Sequence, residues 1–329
     1  MNTTSISAFK TLSAGRFAER TGFTAVDIGA RGEVDAAMLP LAWATGMIGF
    51  EPEPAAAAAL ESVDPAPWKS RRIVRAAVGG SDGPQTLYIP PSPESASLLK
   101  HNAEMIDWFG IDSQHSIEKT IEVDTRTLDS LAREGALPSA DYIKIDVEGA
   151  EGAIIAGGAD YLKDCLALQV EVAFLEQRLG QPLAWDIGRT LDEQGFMIVD
   201  IIAMQRWRHD YAPTHPYRSR APIGYSRGLL AQADLICIRD FRHVTAAEQA
   251  AKLILIVAAL GFIDFAATIL RFHSDLLAGL SADYAMDLPA DFEKLSAQAG
   301  KNAPRAAIGR GLRDLVPLGR SVLGGLPGR

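Results

Sequence analysis

Across the first 240 residues, short apolar runs closing on a polar residue or a glycine alternate with helical stretches. Runs of this kind predict strands covered on both faces, and their alternation with helices predicts a doubly wound α/β fold with a parallel sheet. The predicted strands are Phe23–Ile28, Met47–Glu51, Ile73–Val78, Tyr142–Val147, Leu166–Ala173, Phe196–Ile202 and Ala233–Ile238. Two further strand-like pieces, Thr86–Ile89 and Ile117–Val123, flank a loop rich in proline and serine. Helices are expected over Ala55–Leu60, behind Pro54, over Gly149–Ala156, and from Pro182 to Gln194, with Gly195 as the stop.

After Asp240 the pattern changes. From Thr245 to about Leu280, Ala, Leu and Ile occupy almost every face of a helical pattern, so these helices must bury against something. The chain therefore divides into an N-terminal segment (1–20), a sheet-bearing domain (21–241), a helical extension (242–300) and a tail (301–329). The extension is expected to pack on the body or to self-associate into a homo-oligomer. The tail carries six Lys or Arg against one Asp and is broken by glycine and proline, a candidate for a frayed end or a partner-binding arm.

Composition narrows the classes. At 329 residues, 48% hydrophobic and 22% charged, the chain is a globule with room for a large α/β domain and an appendage. A net charge of -9 disfavours nonspecific binding to nucleic acid, and no nucleic-acid partner is expected. Cys165 and Cys237 sit in apolar runs, which predicts buried reduced thiols. The longest apolar run, Leu253–Ile263, is about half of the ~20 residues that a membrane span needs. No secretory pattern opens the sequence, so a cytoplasmic location is expected.

The candidate chemistry starts at Val26-Asp27-Ile28-Gly29-Ala30-Arg31-Gly32-Glu33, at the end of the first predicted strand. Glycines in a strand-to-helix turn let the backbone approach a ligand beyond the carboxyl ends of the strands. Glu51, 22 residues after Gly29, is placed to accept hydrogen bonds from ribose hydroxyls. A dinucleotide fingerprint needs G-x-G-x-x-G for its pyrophosphate, whereas the turn here is D-x-G-A-R-G and Asp27 would repel phosphate. The same carboxylate favours a ligand bearing an ammonium and a sulfonium, and S-adenosylmethionine fits that description. The rival readings are an NAD(P)-dependent oxidoreductase and a catalytically silent scaffold that binds cofactor or a partner.

These residues, together with YIKIDVEGAE at 142–151, resemble the FkbM family of S-adenosylmethionine-dependent methyltransferases. IGFEPEP, SASL at 95–98, VDTRTLDSL at 123–131, QVEVAF at 169–174 and ADLICIRD agree, so the likeness runs from roughly residue 20 to 240. Arg31 stands where many members carry Asn, and SASL replaces a commoner double serine. The resemblance implies a class I methyltransferase fold, a Rossmann-like seven-stranded sheet with helices on both faces and an antiparallel last strand. It implies O-methylation of a hydroxyl on a sugar, glycan or other small-molecule natural product. It also implies that Asp27, Gly29, Ala30 and Gly32 line the methionine side of the cofactor, that Glu51 holds the ribose, and that Ala77 and Val78 abut the adenine.

An aliphatic hydroxyl is a poor nucleophile at neutral pH, so a base or a metal should assist the transfer. Asp146 and Glu148 end the fourth predicted strand and share one face if that strand persists, with Glu171 on the neighbouring strand. Asp146 is expected to contact cofactor or acceptor, and Glu148 or Glu171 to deprotonate the acceptor. The three carboxylates are alternatively Mg²⁺ ligands, and Glu148 is alternatively a cap for the helix that follows. His101 is a second candidate base; His115, His209, His215, His243 and His273 are expected at the surface. Gln205–Arg227, with five arginines and four Trp or Tyr against one acid, is either an acceptor-binding lid or a docked loop.

Overall fold

In a computed structural model of the chain, residues 6–30, 37–110, 116–207 and 228–301 are described. Their strands are β1 (Phe23–Ile28), β2 (Thr45–Phe50), β3 (Ser70–Val74), β4 (Ala77–Val78), β5 (Gly83–Ile89), β6 (Lys119–Arg126), β7 (Tyr142–Ile145), β8 (Ala167–Ala173), β9 (Phe196–Trp207) and β10 (Leu229–Arg239). Seven of these form one sheet in the order β3-β2-β1-β7-β8-β10-β9. β1, β2, β3, β7 and β8 are parallel, and β10 runs antiparallel to both β8 and β9. The chain reverses its direction of winding between β1 and β7. In open α/β sheets the crevice beyond the carboxyl ends of such a pair is where ligands bind. A small second sheet, β4-β6-β5, stands beside it.

The helices are α1 (Ile6–Lys10), α2 (Gly15–Thr21), α3 (Pro54–Ser62), α4 (Ala103–Phe109), α5 (Leu128–Arg133), α6 (Glu151–Gly157), α7 (Ala184–Glu193), α8 (Ala247–Ala259), α9 (Ile263–Phe272) and α10 (Ser274–Tyr284), followed by a helix over 288–301. Their starts follow capping chemistry. Asn102 accepts the Glu104 and Met105 N–H groups at the head of α4, and Thr127 accepts that of Ser130 in α5. α5, α6 and α7 cover one face of the main sheet, where Val26, Ile28, Ile143, Ile145 and Val170 meet Leu131, Ile154 and Leu191. The opposite face, with Ala25, Tyr142, Ala167 and Ile238, is covered by α1, α2 and the helices after Asp240. Leu253 to Val257 in α8 are each at most 2% exposed. Burial stabilises each by about 1.5–3 kcal/mol relative to an exposed position, which explains a helix apolar on all sides. Among the described residues no helix is long and apolar enough to cross a membrane.

Four expectations need correction. The predicted strand Ile73–Val78 divides, because the chain leaves β2 after Val74 and Ala77–Val78 pairs with β6 in the small sheet. The strand from Tyr142 stops at Ile145, two residues early. The strand from Phe196 runs on to Trp207 and is not covered on both faces. It is the sheet's edge, with Ile198, Ile201 and Met204 exposed, and its apolar residues serve the long ladder with β10. His273 lies inside, 5% exposed, with Nε2 2.8 Å from the Phe241 carbonyl oxygen and Phe241 and Phe272 edge-on to its ring. Cys165 and Cys237 are buried free thiols as expected, and burial pushes both up to about 12.

One polar contact ties the two ends of the described chain together. Asp291, 1% exposed, accepts the Ser13 N–H (2.8 Å), the Ser13 hydroxyl (2.6 Å) and the Ala14 N–H (2.9 Å). Asp291→Ala leaves these donors in a buried setting without their acceptor. A loss of about 2–4 kcal/mol is expected, read as a lower denaturation midpoint. An unchanged midpoint would show that apolar packing and the bond from the Asp287 N–H to the Ser13 hydroxyl (2.7 Å) suffice to hold the two ends together.

Candidate active site

At the end of β1, Gly29 has φ +90°, and a Cβ there would lie 1.9 Å from the Asp146 carbonyl oxygen. Only glycine lets the turns after β1 and β7 approach this closely. The Ala30 N–H donates to the Phe50 carbonyl (3.1 Å), which draws the β1 turn towards the end of β2. Glu51, just past β2, is 4% exposed and accepts the Glu53 N–H at 2.8 Å; Glu53 in turn caps α3 by accepting the Ala56 N–H at 2.7 Å. Between these pieces lies a hollow of about 180 Å³. Gly29, Glu51, Asp146 and Glu148 give it polar walls, and Ala77, Val78, Leu87, Ile89 and Leu98 give it an apolar one. A larger groove of about 1570 Å³ lies among α9, α10 and the 288–301 helix. Among the described residues the set of three acids close enough to share an ion, Asp146, Glu148 and Glu171, meets the smaller hollow rather than this groove.

The carboxylates reach the hollow by a route other than the expected one. Because β7 ends at Ile145, positions 146 and 148 share no strand face. A turn takes over, with Glu148 at φ +63° and Gly149 at φ +114°. Glu151 Oε1 accepts the Val147 and Gly149 N–H groups, each at 3.0 Å, and the Ser97 hydroxyl donates to the Glu148 carbonyl at 2.8 Å. The capping alternative for Glu148 is not met: no side chain caps α6 at Ala150, and Glu151 in its first turn reaches back to the preceding turn. Held this way, one oxygen each of Asp146, Glu148 and Glu171 lies within 4.8 Å of the others.

Cations and amides frame the three acids. Lys144 Nζ is 3.0 Å from Asp146 Oδ2, Arg178 Nη2 donates to Glu148 Oε2, and Gln232 Nε2 donates to Glu171 Oε1 at 2.6 Å. Burial, with the Glu148, Asp146 and Glu151 charges, holds the Glu171 carboxyl well above the ordinary range. Burial also raises Glu148, against the opposing pull of Arg178. Burial pushes Glu151 up to about 7. The oxygen donors suit Mg²⁺ by type, yet two of the three carboxylates already face a cation.

Gly29, Glu51, Ala77, Val78, Asp146 and Glu148 line the hollow; Glu171, on β8, does not line it but comes within 4.8 Å of Asp146 and Glu148. Asp27 does not line it. It is 7% exposed and shares the face of Ala25, beside Lys144 on β7. Ala30 borders the β1 turn. His101 is 5% exposed, its backbone bridges Arg178, and it does not line the hollow. Gly32, Arg31, His115, His209, His215, residues 208–227 of the arginine-rich stretch and the 302–329 tail lie outside the described residues. Sequence reasoning missed Ser97, Lys144, Glu151 and Arg178. Lys144 and Glu151 stood inside the quoted YIKIDVEGAE, where a buried acid opening a helix was a usable signal; Arg178 carried none.

The model of the methyltransferase FkbM domain matches residues 27–198. No curated protein matches the chain. Among solved structures the chain is similar to an FkbM methyltransferase from Methylobacillus flagellatus KT, at 14% identity over 65% of this chain and 43% of that one (TM-score 0.34). It thus spans less than half the length of that relative. It is also similar to the magnesium protoporphyrin IX methyltransferase of Synechocystis PCC 6803, solved with bound S-adenosylmethionine, at 14% identity over 71% and 79% (TM-score 0.34). A precorrin-6y C5,15-methyltransferase from Geobacter metallireducens GS-15 follows at 11% identity over 69% and 87% (TM-score 0.31). Methyltransferases of this class use S-adenosylmethionine, and the hollow offers a glycine turn, a buried acid beyond β2 and an apolar wall. The matched stretch holds both strand ends and the three acids that meet between them: the chain belongs to the FkbM methyltransferase domain family.

Proposed function

We propose that the protein transfers a methyl group from S-adenosylmethionine to a hydroxyl on a sugar, glycan or other natural-product acceptor. The observation that carries this reading is the pair Asp146 and Glu148 on the wall of the hollow, with Glu171 within 4.8 Å of both. When bound, S-adenosylmethionine supplies a methyl group on a positively charged sulfur. Glu51 holds the ribose, Gly29 and Ala30 give backbone access to the methionine end, and Ala77 and Val78 cover the adenine. Asp27 acts through its charge from β1, beside Lys144. Asp146 and Glu148 orient the acceptor hydroxyl, whose proton passes to Glu171 as its oxygen takes the methyl group and the methyl–sulfur bond breaks, leaving S-adenosylhomocysteine. Glu171 is the better placed base of the two, because the Glu148 carboxylate is already engaged by the Arg178 guanidinium. Lys144 and Arg178 already bring positive charge to the group, which favours proton transfer over a Mg²⁺ site. The chelator test is direct: activity should survive EDTA, and loss restored by Mg²⁺ would replace this reading with the metal one.

Thermal denaturation with S-adenosylhomocysteine or NAD tests the cofactor. At a hundredfold excess over Kd, the true ligand stabilises the fold by about 2.7 kcal/mol, and NAD should give no shift. Glu51→Ala should weaken S-adenosylhomocysteine binding by about 10–100-fold, since two charge-assisted hydrogen bonds are lost. Calorimetric titration reads this, and unchanged affinity would remove Glu51 from the ribose site. The acceptor is sought as labelled methyl incorporated from S-adenosylmethionine into fractionated extracts. Label on nitrogen or carbon alone would sink the hydroxyl assignment.

A further inference from the structure

Arg178 is the largest fully buried side chain in the described structure, and no feature of the preceding reaction requires an arginine there. Its guanidinium donates through Nη2 to Glu148, while Nε is buried with no hydrogen-bond partner. A buried guanidinium that uses so little of its donor fork is costly, and a pair of this kind is poor evidence for stability in itself. The surroundings are built around it. Gly149, next to Glu148, has no side chain where a Cβ would come within 2.8 Å of Arg178 Cδ and 3.3 Å of Gln181 Cδ. Gln181 Oε1 accepts the Arg178 N–H at 3.1 Å. On either side, Asn102 N–H donates to the Gln177 carbonyl and Leu179 N–H to that of Lys100, both at 2.9 Å.

Glu148 is thereby held at both ends. Ser97 takes its carbonyl and Arg178 its carboxylate, from two chain segments that are themselves laced together at 100–102 and 177–179. A non-glycine residue at φ +63° is strained, and such strain persists where the surroundings over-determine the conformation. From this we infer that Arg178 is a positioning residue, which locks the Glu148 carboxylate against Asp146 and Glu171 at the hollow and so fixes where an acceptor hydroxyl must sit. The inference rests on the proposed hydroxyl methylation for its catalytic consequence, though not for the lock itself.

The test is a cycle of R178M, E148Q and the double variant in the full chain, with R178K as the conservative replacement. For the lock, the readout is the thermal midpoint and the S-adenosylhomocysteine Kd. R178M should lower the midpoint and E148Q should recover most of that loss, with Kd within about twofold throughout. For catalysis, R178M should lower kcat by about 100-fold with the KM for S-adenosylmethionine little changed. R178K should restore part of it, and R178M should cost nothing further in the E148Q background. Additive midpoint losses would overturn the lock, whether or not the chain methylates hydroxyls. Non-additive midpoints with no methyl transfer to any hydroxyl would keep the lock and discard the reaction. Additive losses in kcat would reduce Arg178 to a structural side chain.

Discussion

Glu171→Gln should lower kcat for methyl transfer by about two to four orders of magnitude, with the affinity for S-adenosylhomocysteine within about twofold. Glutamine keeps the size of the side chain and can still accept the Gln232 amide that bonds Glu171 Oε1 at 2.6 Å. What it cannot do is take a proton. The pH profile separates that loss from a packing fault. Burial, then the charges of Glu148, Asp146 and Glu151, keep Glu171 protonated past the ordinary carboxylate range. A base works only when deprotonated, so kcat/KM should fall as pH drops through this raised value, well above the usual 4.5 for a glutamate. In Glu171→Gln that acid limb should vanish. In Glu148→Gln it should move to lower pH, because a negative neighbour is removed and Arg178 loses its partner. An acid limb unchanged in both variants would end the assignment of Glu171 as base, exclude Glu148 with it, and return the role to His101.

How much of this was legible in the chain depends on how local its causes are. β1, β7 and β8 announce themselves as apolar runs because both of their faces are covered, and their order of appearance already suggests a parallel sheet. The division of Ile73–Val78 was not legible. It depends on pairing of Ala77 with Thr125, far along the chain, and nothing around Arg75 and Ala76 marks the change of sheet. The exposure of β9 was hidden for a related reason, since an edge position is a property of strand order rather than of the strand. In the site, residue type and motif pointed to Asp146, Glu148 and Glu171. The geometry that brings them together did not follow from alternation along β7. It comes from a turn fastened by Glu151, and from Arg178, 30 residues beyond Glu148, in a loop with no periodic pattern.

That turn carries the second large effect. Glu151→Ala should lower the denaturation midpoint by roughly 10 °C and reduce kcat to near background, although residue 151 touches no substrate. Its carboxylate is the acceptor for two backbone N–H groups, Val147 and Gly149, either side of strained Glu148. Removing it strands both donors, at about 1–3 kcal/mol each, and frees the turn that carries Asp146 and Glu148. Glutamine is the discriminating replacement, because its amide oxygen can serve the same two donors. It also removes a titration. Burial raises the Glu151 carboxyl from 4.5 to about 7, so between those values the folded chain holds a proton that the unfolded chain has released. Stability therefore falls as pH rises through that window, by an amount on the order of 3 kcal/mol. Glu151→Gln should abolish this slope, leaving a protein at least as stable as the parent above pH 7 and still active, whereas Glu151→Ala is weaker at every pH. If the alanine and glutamine variants behave alike, the turn is held by Ser97 and Arg178 without Glu151, and its buried acid has some other purpose.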